Sequence, residues 1–160
     1  GTYGGLITTG NQFDQYVAGT KTPFPVSSNR VVFAAGFTDY IGIPVGRLPM
    51  LAIDGSLDTV FNDNIVNPTG FSNITTCIGE MPNRQIVVAC TPAADLNGTA
   101  TKGLVRLNSD GSNDATWSIG STGFDFGVIT IHIDPLGRLV VGGFFQTLNG
   151  ATQKYVARIN

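Results

Sequence analysis

The chain carries ten aspartates, one glutamate (Glu80), one histidine and two cysteines, so acid–base chemistry would fall mainly to the aspartates. Two pairs stand out by spacing: Asp54 with Asp58, and Asp110 with Asp114. A glycosidase holds two carboxyls several ångströms apart across a sugar, and four residues around a turn can bring two carboxylates together. Here, however, the pair occurs twice, at the same place in two copies of one motif. Recurrence points to a structural device, because Asp accepts backbone N–H bonds and Gly takes the left-handed conformation in turns. Asp54, Gly55 and Asp58, and Asp110, Gly111 and Asp114, are therefore read as structural turns. Asn108, Asp110, Ser112 and Asp114 also place oxygens at alternate positions, as a calcium loop does. Yet Gly111 stands fourth in that series where an EF-hand wants its glycine sixth, no glutamate follows, and Ala52 replaces Asn108 in the other copy. The reading is no metal and no cofactor, with calcium as the alternative for this loop.

Nucleophilic catalysis needs a base beside the nucleophile. The only histidine, His132, lies between Ile131 and Ile133 in a strand-like run and reads as a packed or solvated side chain. Neither a Gly-x-Ser-x-Gly elbow nor a phosphate-cradling Gly-Lys-Ser/Thr loop is present. The chain is read as non-enzymatic. Cys77 and Cys90 flank a turn at Pro82-Asn83. They form either a cross-strand disulfide or, the preferred reading, two small buried thiols.

The elements that must position these residues are strands. The 160 residues suit one ordinary domain. Valine, isoleucine and threonine number 14, 13 and 18, against three lysines and one glutamate. That balance favours a pleated surface over helix. Only 12% of residues are charged and the net charge is −2, so the basic footprint of a nucleic-acid binder is missing. No apolar run approaches the roughly 20 residues of a membrane helix. Gly1 opens the chain without a basic stretch leading to an apolar signal core. It is the start of a processed chain or of a piece of a longer one.

The chain repeats itself. Arg30–Phe37, Gln85–Thr91 and Arg138–Phe145 are apolar runs recurring every 53 to 55 residues. Each leads through a polar loop to a second apolar strand: Leu48–Ala52, Leu104–Asn108 and Tyr155–Asn160. Two of these end in an Asp-Gly turn followed by an aromatic, Phe61 or Trp117, which recur in place and so read as shared core packing. A further strand precedes two of the runs. In Val128–Ile133, period-2 alternation puts Ile129, Ile131 and Ile133 on one face. Such a unit has the size of a propeller blade. The expected fold is all-β: repeated antiparallel β-sheet units, propeller-blade-like, about three blades. The expected divisions are an irregular segment or partial blade at 1–29, then a repeat region over 30–160 divided near 30–70, 71–123 and 124–160.

The stretches Val105–Asp114, Ala157–Asn160 and Asp134–Phe145 resemble the delta-60 repeat, which occurs in bacterial surface proteins and phage tail or virion proteins. The run at Val88-Ala89-Cys90 departs from it, where the family favours small glycines. The resemblance implies a propeller-like architecture without catalytic residues to carry over. It also implies placement in a virion or at an extracellular or cell surface. Closed propellers use about 4 to 8 blades. A three-unit chain therefore implies a homo-oligomer or other virion or surface subunits as partners.

The loops that follow the apolar runs fall at one place in each unit, and so on one rim. Their polar residues, Asp39, Tyr40, Asn97, Gln146 and Asn149, are the candidates for binding a glycan, with solvated turns as the simpler reading. The function expected is a structural or adhesion module of a phage tail or fibre or of a bacterial surface, with a lectin-like module as the alternative. Replacing Asp110 and Asp114 should lower the melting temperature, at a cost of about 1–2 kcal/mol, without altering any turnover. A calorimetric scan beside a glycosidase assay checks both halves.

Overall fold

The computed structural model describes residues 23–34 and 36–159. The early echo at Phe13–Tyr16 falls outside them. Three antiparallel three-stranded sheets follow one another along the chain. The first joins β1 (Phe24–Val26), β2 (Arg30–Val32) and β5 (Met50–Ala52), with β2 central. The second joins β6 (Thr75–Glu80), β7 (Ile86–Cys90) and β10 (Leu104–Leu107), with β7 central. The third joins β11 (Val128–Ile133), β12 (Leu139–Gly143) and β15 (Val156–Ile159), with β12 central.

Between its second and third strands each unit makes a small hairpin. These are β3 (Asp39–Tyr40) with β4 (Ile43–Pro44), β8 (Asp95–Leu96) with β9 (Thr99–Ala100), and β13 (Thr147–Leu148) with β14 (Ala151–Thr152). The repeat is therefore visible in topology as well as in sequence. The first sheet opens at Phe24, so its edge strand is drawn from the segment before residue 30.

The sheets stack face to face. Val32, Ala34, Leu48 and Met50 of the first unit share a core with Ile78, Ile86, Val88, Val105 and Leu107 of the second. The opposite face of the second sheet, with Val87, Ala89 and Leu104, packs against Val128, Leu139, Val141 and Ala157 of the third. Covered on both sides, β7 is buried at all five residues. That is why Ile-Val-Val-Ala-Cys reads as a continuous apolar run rather than an alternating one. Each fully buried Val, Leu or Ile contributes about 1.5–3 kcal/mol, so the two faces of this sheet supply much of the stability.

A bulge sits at the same place in β6 and β11. The register slips between Thr75 and Cys77 in one and between Val128 and Thr130 in the other. An extra residue turns the side chains that follow to the opposite face. This corrects the expected alignment of the three isoleucines. Ile131 and Ile133 pack inward on the second sheet, whereas Ile129 is 45% exposed. The two bulges also meet, because the Thr76 hydroxyl donates to the Val128 carbonyl at 2.7 Å.

Among the described residues a short helix, α1 (Thr59–Ile65), forms the aromatic-bearing segment after the first Asp-Gly turn. Asp58 caps it, its carboxylate accepting from the Phe61 N–H at 3.1 Å. Phe61 and Ile65 on its inner side are fully buried in the core between the first two sheets, which holds a helix too short to persist alone.

Gly79 sets the spacing of the second and third sheets. A Cβ there would stand 2.8 Å from both Ile131 Cγ2 and Ile133 Cδ1. Gly79→Val should therefore cost about 1–3 kcal/mol through overpacking, despite the strand preference of valine. Adding Ile133→Ala should recover part of that loss. Urea unfolding of the two variants measures both effects, and a Gly79→Val chain as stable as the parent would contradict this packing.

Candidate functional site

The two Asp-Gly turns are built alike. The Asp54 carboxylate accepts from the Ser56 N–H at 3.0 Å and the Ser56 hydroxyl at 2.7 Å. Asp110 does the same with Ser112, at 3.0 and 2.6 Å. Gly55 and Gly111 hold φ of +87° and +86°, which glycine adopts without a side-chain clash. The serine hydroxyls are the first cause holding both carboxyls below the usual carboxylate range.

The second aspartate of each pair turns elsewhere. Asp58 caps α1 and pairs with Arg30 at 2.8 Å. Asp114, 8% exposed, accepts from the Thr116 hydroxyl at 2.6 Å, the Gln85 amide at 2.7 Å and the Arg106 guanidinium at 2.7 and 2.8 Å. Arg30 and Gln85 hold equivalent positions at the start of their runs, so each ties the first residue of the run to the end of its own unit's turn.

Asp54 and Asp58 thus serve separate hydrogen-bond sets, as do Asp110 and Asp114. The alternate oxygens of residues 108 to 114 likewise have hydrogen-bond partners within the turn or on Gln85 and Arg106. Asn108 accepts from Gln85 at 3.1 Å and donates to the Ser112 hydroxyl at 3.0 Å. Among the described residues, no group of three or more His, Cys, Asp or Glu is placed to hold a metal ion.

The rim residues divide into four kinds. Asp39 closes its own hairpin by accepting from the Gly42 N–H at 2.7 Å, and Asp95 does the same with Gly98 at 3.1 Å. Tyr40 departs from the expectation of an exposed rim residue. It is 6% exposed, and its hydroxyl donates to the Gly55 carbonyl at 2.9 Å. Burial of the ring raises the pKa of its phenol. An aromatic between apolar neighbours is drawn inward when its hydroxyl finds a partner, which its polar sequence neighbours conceal.

Asn97 and Asn149 form the third kind. Asn97 accepts from the Thr69 and Gly70 N–H groups at 3.0 and 2.7 Å and donates to the Ile65 carbonyl at 3.1 Å. Asn149 accepts from Thr122 and Gly123 at 3.2 and 2.9 Å and donates to the Ile119 carbonyl at 2.8 Å. Both hold a left-handed backbone, at φ +52° and +53°, which asparagine tolerates better than most residues. Each latches its hairpin to the segment entering its own unit from the one before. Ile41 holds the same backbone conformation at that position in the first unit, at φ +52°.

Gln146 is exposed, and its N–H donates to Asp125 at 2.8 Å. Asp125 escaped the sequence reading. It accepts from the N–H groups of Gln146 and Thr147, anchoring the third hairpin as Ser72 anchors the second through Asp95. The signal was present in Gly70-Phe71-Ser72 and Gly123-Phe124-Asp125, a Gly-Phe-polar triplet repeated 53 residues apart.

No disulfide joins the cysteines. The bulge in β6 sets Cys77 opposite Ala89 rather than Cys90, and the two thiols belong to the cores on opposite sides of the sheet. Burial pushes the Cys90 thiol up to about 11, and its sulfur lies 2.9 Å from the Thr101 hydroxyl.

A cleft of about 290 Å³ opens between the second hairpin and residues 113 to 119, with Thr99, Lys102, Asn113, Trp117 and Ser118 in its wall. The Arg106 guanidinium lies 5.5 Å from the centre of the Trp117 ring. A second cleft of about 380 Å³ lies between the first hairpin and residues 66 to 72, lined by Pro44, Gly46, Arg47, Val66 and Phe71.

Asp114 generates a pH test. Bonds from Thr116 first, then from Arg106 and Gln85, hold its carboxyl well below the usual range, outweighing the opposing effect of burial. A depressed folded-state pKa means this stabilisation is complete above the unfolded value of about 3.9 and is lost as pH falls through the folded value. Asp114→Asn should cost about 1–3 kcal/mol at pH 7, and its deficit relative to the parent should shrink below about pH 4. Urea midpoints from pH 7 to pH 2 measure the difference, and a deficit independent of pH would contradict a charged Asp114.

No characterised protein and no solved structure matches the chain. Residues 82–116 and 137–160 match the model of a beta-propeller domain of unknown function, DUF5122. Both stretches lie in the second and third units, over their turns, central strands and hairpins. Together with the stacked three-stranded sheets, the match supports an all-β fold of propeller-blade-like units.

Proposed function

We propose that the chain is a non-enzymatic structural or adhesion module, built from delta-60-like repeats and carried by a phage tail or fibre or by a bacterial surface protein. The observation that carries this reading is the use made of the repeated polar residues. The Asp-Gly turns, Asp114 and the Asn97 and Asn149 latches are all bonded within a unit or between neighbouring units. Such a design favours a rigid spacer whose polar groups hold sheets in register. The virion or surface setting rests on the resemblance of the repeats, and low charge with polar loops is compatible with it. The alternative is a lectin-like module. It draws on the Trp117 cleft, whose wall also carries Lys102, Asn113 and Ser118, a combination suited to a sugar.

Two experiments separate these readings. Antibody raised against the chain should label virions or intact cell surfaces of the source in immunogold images, and label confined to the cell interior would overturn the setting. On a glycan array the structural reading expects no specific binding. Asn97→Ala and Asn149→Ala should each lower stability by about 1–3 kcal/mol, because buried amides and carbonyls lose their partners. Saturable glycan binding abolished by Trp117→Ala would select the lectin-like reading instead.

A further inference from the structure

Three arginines beside the turns each have a carboxylate of their own: Arg30 pairs with Asp58, Arg106 with Asp114 and Arg138 with Asp134. Arg47 differs. Among the described residues no ion pair or hydrogen bond holds its guanidinium, and its Nε is shut away from solvent without a partner. A charged donor left in that state costs free energy until an acceptor meets it.

The backbone at this position suits glycine. The Gly46 carbonyl accepts from the Phe71 N–H and the Lys102 carbonyl from the Phe124 N–H, both at 3.1 Å, so Arg47 stands where the second unit has Gly103. Both residues have positive φ, +67° and +100°, a region that most side chains disfavour. Tyr155 holds this place in the third unit at φ +66°, so a side chain is accommodated there, but the stack does not need a cation. The second unit uses its neighbouring cation internally, since Lys102 Nζ donates to the Gly120 carbonyl at 2.8 Å. The first unit thus sets a long cation on a disfavoured backbone with no acceptor among the described residues. A local rule broken without internal compensation points to a ligand.

Arg47 lines the cleft of about 380 Å³ beside the first hairpin. Hydrogen bonds hold its walls in place. The Asn62 amide donates to the Pro44 carbonyl at 2.9 Å, the Thr75 hydroxyl to the Arg47 carbonyl at 3.0 Å, and Asn97 fixes Thr69. Walls already ordered pay little when a ligand enters. Pro44, Val66 and Pro68 make much of the lining apolar, while Thr69 and Ser72 bring hydroxyls. Ser72 Oγ accepts from the Asp95 N–H at 2.9 Å, which leaves its own proton to donate. The hairpin carboxylates Asp39 and Asp95 are turned onto Gly42 and Gly98 and are not part of this lining.

We propose that this cleft takes a carboxylate on a short aliphatic chain, the side chain of a glutamate on a partner protein, with the Arg47 guanidinium as its counter-charge. The guanidinium fork matches a carboxylate, and the apolar walls match the methylene stem. A sugar acid fits less well, because Phe71, 3% exposed, presents no open ring face for a sugar to stack on. The site rests on the structural reading and deepens it, naming the chemistry that a neighbouring subunit brings.

Titration of the isotope-labelled chain with acetyl-Ala-Glu-Ala-amide, followed by amide NMR, tests the site. Signals of Arg47, Thr69 and Ser72 should move and saturate at millimolar peptide, while those of Asn113 and Trp117 in the other cleft stay in place. Acetyl-Ala-Gln-Ala-amide should bind about tenfold more weakly, because it lacks the charge. Arg47→Asn, whose side chain tolerates the left-handed backbone, should weaken binding about tenfold at the parent's melting temperature. Arg47→Lys, which keeps the charge without the fork, should retain part of the affinity. Arg158→Asn, at another exposed arginine, should bind like the parent. Equal response to the two peptides, or unchanged binding by Arg47→Asn, overturns the site. Tighter binding of glucuronate or inorganic phosphate than of the glutamyl peptide overturns it too, by assigning the cleft to a sugar acid or a phosphate. A parent that binds no peptide, with a lowered melting temperature in Arg47→Asn, would make Arg47 a purely structural residue and likewise overturn it. Each of these failures leaves the surface labelling to judge the structural reading separately.

Discussion

A three-stranded sheet has two faces and no means of covering either by itself. Most other features of this molecule follow from that constraint. Strands of three to six residues carry too little apolar surface to stand alone in water, so each sheet must be covered by a neighbour. The second sheet has neighbours on both sides, and its central strand is buried along its whole length. The two main cores lie between units rather than within them. Stability in such an array comes from interfaces between neighbouring repeats as much as from the repeats themselves.

Face-to-face packing fixes the separation of the sheets but only weakly their rotation about the stacking direction, because apolar contact is non-directional. Directional bonds supply what packing lacks. The asparagine latches act at the periphery, where a small rotation displaces atoms farthest, and each closes three hydrogen bonds to backbone. The paired bulges do the same along the strands, through the Thr76 hydroxyl on the Val128 carbonyl. Arg30 extends beyond its own unit, bonding the Ser109 carbonyl of the second Asp-Gly turn at 3.2 Å. Asn64 on α1 reaches the Asp110 carbonyl of that same turn at 2.9 Å. Asn97 and Asn149, candidate binding residues in the sequence, hold in space each hairpin to the segment that enters its unit.

Much of this was legible in the order of residues, because a repeat states its own pattern more than once. The three runs, the hairpin loops and the Asp-Gly turns recur in the same order in successive units, and all three sheets follow from them. What escaped was whatever depends on a single inserted residue or on the partner across a gap. The bulge in β11 removes Ile129 from the inward row, and nothing in a period-2 alternation marks where the register slips. Tyr40 was placed with the polar loop because Asp39 precedes it, although its ring goes to the core and its hydroxyl to Gly55. Asp125 lies between two phenylalanines, with nothing in its neighbours to show that its carboxylate anchors the next hairpin. Each of these errors concerns where a side chain points, which spacing alone does not determine.

The segment after the Asp-Gly turn shows where the repeat is free to change. In the first unit it folds into α1, with Asp58 as its cap and Phe61 buried. In the second it makes a turn, with the Trp117 N–H donating to the Asp114 carbonyl at 3.2 Å, the Asp114 carboxylate taking the Thr116 N–H at 3.0 Å and Trp117 lying beside Arg106. The two solutions share one requirement: an aspartate to receive N–H groups at the start, and an aromatic three residues later to seal the edge of the core. Everything else in that stretch differs, including length, since Asp58 and Gly70 are 12 residues apart while Asp114 and Gly123 are nine apart. Features common to all units answer to stacking. A property belonging to one unit alone must then reside in residues such as Lys102, Trp117 and Asn113, which the shared pattern leaves unconstrained.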